Sequence, residues 1–284
     1  MNYILFNKKS QNGHSEAVLK EIEKEYAGKD IQLIDVIAMS DNYDKLFSTL
    51  TKEDEVVLVG GDGTLNHFIN IVYGKTLPCD FYFYAGGTGN DFLHDVSDIA
   101  VGRKILVNDL IKDLPYVIVN EKKYYFINGV GYGIDGYCCE VGDREQAKSD
   151  KPVNYTSIAI KGLLFHYKAP NATITIDGVT KKYKKVWLAP TMKGRYYGGG
   201  MMVAPKQDRN DKDHLVTNVV LYKAGKLRAL MAFPSIFKGE LQKNTKIVDE
   251  RQGKDIYVEF DRPTALQIDG ETIKNVTKYE VHIK

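Results

Sequence analysis

The sequence predicts an α/β fold in two parts. Residues 1–122 form an N-terminal three-layer domain on a parallel sheet, and residues 123–284 form a C-terminal β-rich sandwich. Three observations carry this. Apolar, β-branched runs alternate with stretches of helical periodicity through the first part. Two of those runs end in glycine-rich turns, Gly60-Gly61-Asp62-Gly63-Thr64 and Gly86-Gly87-Thr88-Gly89-Asn90-Asp91. Beyond residue 115 the pattern changes to many short strand-like runs, several separated by turn pairs such as Asp177-Gly178 and Asp269-Gly270.

In chain order, Tyr3 to Phe6 is a first strand, followed by a polar loop from Asn7 to Gly13 that contains Ser10. Val18, Leu19, Ile22 and Tyr26 lie on one helical face. Ile31 to Ile37 reads as a second strand and Tyr43 to Leu50 as a helix. Val56 to Val59 is a strand buried on both faces, stopped by the first glycine turn. Leu65, Phe68, Ile69 and Val72 then mark a helix, and Phe81 to Tyr84 a fourth strand. In the second part, Tyr116 to Val119 and Tyr124 to Asn128 form a hairpin. Helices over 137–147 and 155–167 follow. Strands are expected over 173–176, 184–189, 201–204, 215–222, 256–260, 265–268 and 279–283.

The composition excludes several classes. A formal net charge of +2 gives no electrostatic footprint for nucleic acid. The three cysteines, Cys79, Cys138 and Cys139, fit no disulfide framework or zinc motif, which points to a reducing compartment. No signal peptide or bilayer-length apolar run is present, so the expectation is a cytoplasmic protein without a transmembrane segment. Gly74-Lys75-Thr76 lacks the first P-loop glycine, since Ile69 stands there, and Gly129-Val130-Gly131-Tyr132-Gly133 is not a dinucleotide fingerprint.

A strand, tight glycine turn and helix N-terminus together make an anion site, because backbone N–H groups and the helix dipole converge where no Cβ intrudes. Asp62 within that turn calls for a cation or a proton to accept. A second such turn one βα unit later would face the same ligand, since open α/β sheets bind at the carboxyl ends of their strands.

The ordered set of motifs resembles the diacylglycerol kinase catalytic family, which includes bacterial lipid kinases and sphingosine kinases. The residues are Gly60-Gly61-Asp62-Gly63-Thr64-Leu65-Asn66, Gly87-Thr88-Gly89-Asn90-Asp91-Phe92, Asn128-Gly129-Val130-Gly131-Tyr132-Gly133-Ile134-Asp135, Gly198-Gly199-Gly200-Met201 with Ala204-Pro205, and Asp269-Gly270-Glu271. The wider superfamily shares the Gly-Gly-Asp-Gly turn with NAD kinases and phosphofructokinases. The resemblance implies an ATP-dependent phosphotransferase that moves the γ-phosphate onto a hydroxyl of diacylglycerol or a related long-chain lipid. It also implies a nucleotide cleft between the two domains and a place in phospholipid biosynthesis. Alternatives are a kinase with a soluble acceptor such as NAD, and a nucleotide- or lipid-binding homologue with impaired catalysis.

By this resemblance, ATP contacts come from Asn7, Ser10, Gly60, Gly61, Gly63, Thr64, Asn66, Gly87, Thr88, Gly89 and Asn90. Glu271 is the candidate general base, with Asp62 sharing base duty or holding Mg²⁺. Departures from the family pattern are Lys8 where proline is usual and His67 where glutamate is common. The Asp-Asp-Gly metal loop is replaced by Asn210-Asp211-Lys212-Asp213-His214, in which Asp211 is the nearest equivalent metal ligand and Asp208 and Asp213 are the alternatives. The implied partners are a lipid hydroxyl and, transiently, a membrane surface, making the protein peripheral to the membrane. The oligomeric state is left open, a homodimer among the options. Tyr155, Ile158, Ala159, Leu163 and His166 could line an acyl pocket or face a membrane, although a helix packed on the second domain is the simpler reading. Lys181, Lys182, Lys184 and Lys185 could meet anionic lipid headgroups, although a solvated strand edge is the simpler reading.

Overall fold

The computed structural model describes residues 1–7, 14–39, 42–87, 89–148 and 153–283. The chain divides into two compact units, Met1–Asp113 and Leu114–Lys284. The division falls ahead of the 122/123 boundary read from the sequence. The physical reason is pairing: the hairpin that straddles that boundary hydrogen-bonds to the last strand of the chain, so both its arms belong to the second unit.

The first unit runs β1 (Asn2–Phe6), α1 (His14–Glu25), β2 (Ile31–Asp35), α2 (Tyr43–Phe47), β3 (Glu55–Gly60), α3 (Asp62–Val72), β4 (Asp80–Ala85), α4 (Asp91–Asp95) and β5 (Lys104–Leu106). The sheet order is β2-β1-β3-β4-β5. Its first four strands are parallel and β5 is an antiparallel edge. Both faces are covered, as apolar central strands require. On one face Ile4, Val57, Val59 and Tyr84 pack with Val18, Ile22 and Tyr26 from α1 and its end. On the other, an aromatic layer joins the sheet to its helices: Phe81 stacks on Phe68 at 5.7 Å, Tyr43 meets Phe68 edge-on at 5.2 Å, and Phe83 lies 6.2 Å from Phe92. The three expected layers are therefore present. α2 stops at Phe47 rather than Leu50, because the Ser48 and Thr49 hydroxyls bond back to the carbonyls of Lys45 and Leu46.

The second unit runs β6 (Tyr116–Val119), β7 (Lys122–Tyr125), β8 (Gly129–Tyr132), α5 (Ile134–Gln146), α6 (Tyr155–Lys161), a π-helical turn over Gly162–His166, β9 (Ala172–Ile176) and β10 (Val179–Tyr183). Then follow β11 (Thr191–Met192), β12 (Tyr196–Tyr197), β13 (Met201–Met202), β14 (Val216–Leu221), α7 (Lys226–Ala232), a 3-10 turn over Phe233–Lys238, β15 (Val248–Gly253), β16 (Asp255–Ile268) and β17 (Glu271–His282). The main sheet is ordered β15-β14-β11-β8-β16-β17-β6-β7, with β9 attached to β16 and β10 to β9. All these pairings are antiparallel.

The two separate strands expected at 256–260 and 265–268 are one bent strand, β16. Its first half pairs with β9 and its second with β8, and the register slips around Pro263, between Glu259 and Leu266. That is how one strand turns the corner of a sandwich. The expected strand at 184–189 is reduced to isolated bridges at Leu188, because Lys185 adopts a left-handed φ of 54°. At the β10 edge, Lys181 is paired with Asp249 at 3.0 Å. Ile158, Ala159 and Leu163 are core, with Trp187, Ala229 and Ile236, so the simpler reading of that stretch holds for these three. Among the described residues, no helix is long and apolar enough to cross a membrane.

Candidate functional site

In the first unit, the strand order reverses between β1 and β3. Open α/β sheets bind ligands outside the carboxyl ends of the strands at such a reversal. Asn7 follows directly on β1, and the first glycine turn follows on β3. The turn is tighter than the apolar periodicity predicts, since α3 begins at Asp62, ahead of Leu65, with Gly61 as N-cap. The first helical hydrogen bond runs from Leu65 N–H to Gly61 C=O at 3.2 Å. The N–H groups of Asp62, Gly63 and Thr64 thus occupy the first turn, where no carbonyl four residues back can serve them. Gly60 is required for a different reason than close approach of an anion. A Cβ there would stand 2.5 Å from the Thr64 Cβ, which folds back over it.

Asp62 is the hinge of the arrangement. Its two carboxylate oxygens accept hydrogen bonds from the backbone N–H groups of Asp91 and Phe92, both at 3.0 Å. These are the opening residues of α4, so Asp62 caps a helix other than its own and fastens the second glycine turn to the first. Gly60 C=O adds a bond from Gly86 N–H at 2.8 Å. The two turns read from the sequence as adjacent walls are therefore joined. Asn90 caps α4 with a left-handed φ of 50°, and its side-chain oxygen is buried without a hydrogen-bond partner. The buried Asn66 side-chain oxygen accepts from the Asn70 amide at 3.2 Å. Gly61, Gly63, Gly87 and Gly89 are half-buried along these turns, and His67 is exposed. Ser10 and Thr88 lie outside the described residues.

In the second unit, Asp269 fixes the turn that carries Glu271. Its buried carboxylate accepts from the N–H groups of Ile127, Asn128 and Gly129 at 2.7 to 2.9 Å. The Gln267 side-chain oxygen accepts from Gly270 N–H at 2.7 Å. Glu271 itself is exposed, at the start of β17.

One carboxylate of the Asn128–Asp135 motif has unusual surroundings. Asp135, near the start of α5, is buried and neither carboxylate oxygen has a hydrogen-bond partner of good geometry. Burial pushes its pKa up to about 6, with the nearby Gly136 N–H and Tyr197 hydroxyl pulling only weakly the other way. Gly131 must be glycine here: a Cβ would lie 2.3 Å from an Asp135 oxygen and 2.4 Å from the Gln267 amide nitrogen. Burial, and after it the charge of Asp135, also drives the Cys139 thiol far above its ordinary range, which disfavours the thiolate. The signal in the sequence was an acid placed three residues beyond a glycine-alternating strand.

The expected metal site at Asp211 does not assemble from side chains. Its two oxygens accept from the N–H groups of Asp213 and Leu215 at 3.2 Å, closing the loop on itself. The buried Gln207 amide donates to the Leu215 carbonyl at 2.8 Å, and Arg209 donates to the Ile127 carbonyl. His214, not Lys212, takes the left-handed φ, at 55°. Among the described residues no three His, Cys, Asp or Glu side chains converge as a metal cluster. Asp62 remains compatible with Mg²⁺, which commonly takes one or two carboxylates together with substrate phosphates.

Comparison with known proteins agrees with the geometry. A family model described as the diacylglycerol kinase catalytic domain matches residues 2–112, and one described as the YegS C-terminal NAD kinase beta sandwich-like domain matches residues 128–281. The chain belongs to this diacylglycerol kinase-type family of lipid kinases. It is 25% identical over 198 residues to the "Diacylglycerol kinase" of Mycobacterium tuberculosis (strain CDC 1551 / Oshkosh), a match covering 66% of this chain and 60% of that protein. It is 24% identical over 205 residues to the "Putative lipid kinase YtlR" of Bacillus subtilis (strain 168), covering 64% of each. The matches thus span under two thirds of these relatives' lengths. Among solved structures, a Bacillus anthracis protein described as a diacylglycerol kinase superposes with a TM-score of 0.62 at 16% identity, over 99% of this chain and 93% of that one.

Proposed function

We propose that this protein is an ATP-dependent lipid kinase that transfers a γ-phosphate to the hydroxyl of diacylglycerol or a related long-chain lipid. The observation that carries the reading is the Asp62 clamp. It holds two glycine turns together at the strand reversal where this class of sheet takes a phosphate ligand.

In this reading the first-turn N–H groups of Asp62, Gly63 and Thr64 receive phosphate oxygens. The Asn66 and Asn90 side chains, Asn7 and the turns at Gly60–Gly61 and Gly87–Gly89 complete the nucleotide contacts. Ser10 and Thr88 are assigned there by resemblance alone. Asp62 is the residue that would hold Mg²⁺, which neutralises phosphate charge as transfer proceeds. Glu271 accepts the proton of the acceptor hydroxyl, held in place by the Asp269 clamp beneath its turn. Asp135 contacts the acceptor: a buried carboxyl with both oxygens unpaired is costly unless a ligand hydroxyl completes it. The chain acts at the membrane surface, where such acceptors reside.

The test is transfer from labelled ATP to mixed micelles carrying diacylglycerol, with NAD and a lipid-extract panel in parallel. Lipid phosphorylation that is lost in Asp62→Ala and falls at least about a hundredfold in Glu271→Gln supports the assignment. Phosphorylation of NAD with lipids inert would select the soluble acceptor. The self-closed Asp211 loop favours one other reading, a homologue that binds nucleotide without turnover. Calorimetric ATP binding with no acceptor phosphorylated would select it.

A further inference from the structure

α7 is built inside out. Its small residues, Ala229 and Ala232, face the core, while Leu227 and Met231, one turn apart, stand 68% and 66% exposed. A solvated helix places polar residues at such positions. Beside it, the π-helical turn after α6 holds Phe165 out at 71% exposure, while its neighbour Leu163 is buried. The two elements are tied by Lys226, whose ammonium donates to the Leu164 carbonyl at 2.7 Å. The 3-10 turn that continues α7 adds exposed Phe237, its ring 6.1 Å from Phe233, and α6 adds exposed Ile160. Exposed apolar side chains thus stand on elements that pack on one another in the second unit, and a cluster of that kind marks an interaction site.

The segments that supply these side chains are basic. Residues 153–172 and 222–239 contain no aspartate or glutamate, in a chain whose 39 basic and 37 acidic residues nearly balance. They contain Lys161, Lys168, Lys223, Lys226, Arg228 and Lys238, all exposed. Exposed large apolar side chains among these cations fit a surface that is apolar within and negatively charged at its rim; the neighbouring acids are Glu240, which faces Lys238, and those of α5. A second copy of the chain fits poorly, because a twofold contact would set these cations against themselves.

We propose that this cluster docks the protein onto an anionic phospholipid bilayer, with Phe165, Leu227, Met231 and Phe237 entering the acyl boundary and the six cations meeting headgroup phosphates. Long lysine and arginine side chains can hold their charge at headgroup level while their stems lie along apolar surface. The inference deepens the lipid-acceptor reading, since it names how the enzyme reaches a substrate held in a membrane, and it rests on that reading for its purpose.

The experiment is co-sedimentation of the full chain with phosphatidylcholine vesicles, with and without phosphatidylglycerol. The proteins are wild type, Phe165→Ser/Leu227→Ser/Met231→Ser, and Arg228→Glu/Lys238→Glu. Circular dichroism and thermal melts confirm that each is folded. The wild type is expected to bind the anionic vesicles, with binding weakened by salt. Each variant is expected to bind at least about tenfold less. Phosphorylation of a water-soluble short-chain acceptor should be unchanged in both variants, while phosphorylation of a vesicle-held acceptor falls.

Equal vesicle binding by wild type and folded variants overturns the proposal. So does a wild type that ignores anionic vesicles, or light scattering that shows self-association abolished by the serine variant without vesicle binding. Vesicle binding with no lipid phosphorylated keeps the docking face and removes the kinase reading. Equal phosphorylation of vesicle-held acceptor by wild type and variants does the reverse.

Discussion

At the residue scale, Asp135 and Gly60 make the sharpest claims. The Asp135 pKa stands at about 6 in the folded protein against 3.8 for the free side chain. Between those values the unfolded chain has already released its proton while the folded chain still holds one. Raising the pH through that window therefore destabilises the fold, by about 3 kcal/mol once the group is fully ionised. Asp135→Asn removes this dependence. Its stability relative to wild type should rise by about that amount between pH 4 and pH 8, measured by urea unfolding at each pH, and a gap that stays flat would refute the buried-acid account. Gly60→Ala places a methyl 2.5 Å from the Thr64 Cβ, a stiff β-branched neighbour that cannot retreat. A loss of about 1–3 kcal/mol is expected. The glycine pattern was legible in the sequence, but its reason here was not, since the crowding atom sits four residues on and only the helix start at Asp62 brings it round.

At the element scale, two carboxylates act as clamps before they do anything else. Asp62 caps α4 from α3, and Asp269 gathers three consecutive N–H groups ahead of and into β8. Asp269→Ala leaves buried donors unpaired and should cost about 3 kcal/mol or more. Hydrogen exchange should accelerate selectively at Ile127, Asn128 and Gly129; unchanged protection there would contradict the clamp. Asp62→Asn can pair with only part of its two-donor site, so α4 should fray and the melting temperature fall by a few degrees, consistent with a lost cap of about 1 kcal/mol. Strands and helices with apolar periodicity were readable in advance: β1, β3, β4, α1, α3 and α5. β10 and β15 were not, because their segments Val179–Tyr183 and Val248–Gly253 are mostly polar and are strands only through pairing with neighbours. α7 was missed for the opposite reason, as its alanines face inward and its large apolar residues outward, which inverts the pattern on which periodicity relies.

At the scale of the whole molecule, each unit carries its own part of the proposed chemistry. The first joins two glycine turns at the reversal of a parallel sheet, and the second holds a fixed turn with Glu271 and a buried acid at Asp135. The glycine turns and the Asp-Gly-Glu turn could be read from the chain, because their residue types have few other uses in that order. The Asp211 loop could not, since whether a carboxylate binds a metal or its own backbone depends on turn geometry that a sequence does not print. The central claim is that these parts transfer phosphate to a lipid hydroxyl. It is tested most directly by incubating the purified chain with γ-labelled ATP, magnesium and diacylglycerol micelles and separating the lipid products. The expected result is a labelled phospholipid, absent in Asp62→Ala and at least about a hundredfold reduced in Glu271→Gln. No labelled lipid from a folded protein that binds ATP, or labelling equal in all three proteins, would contradict it.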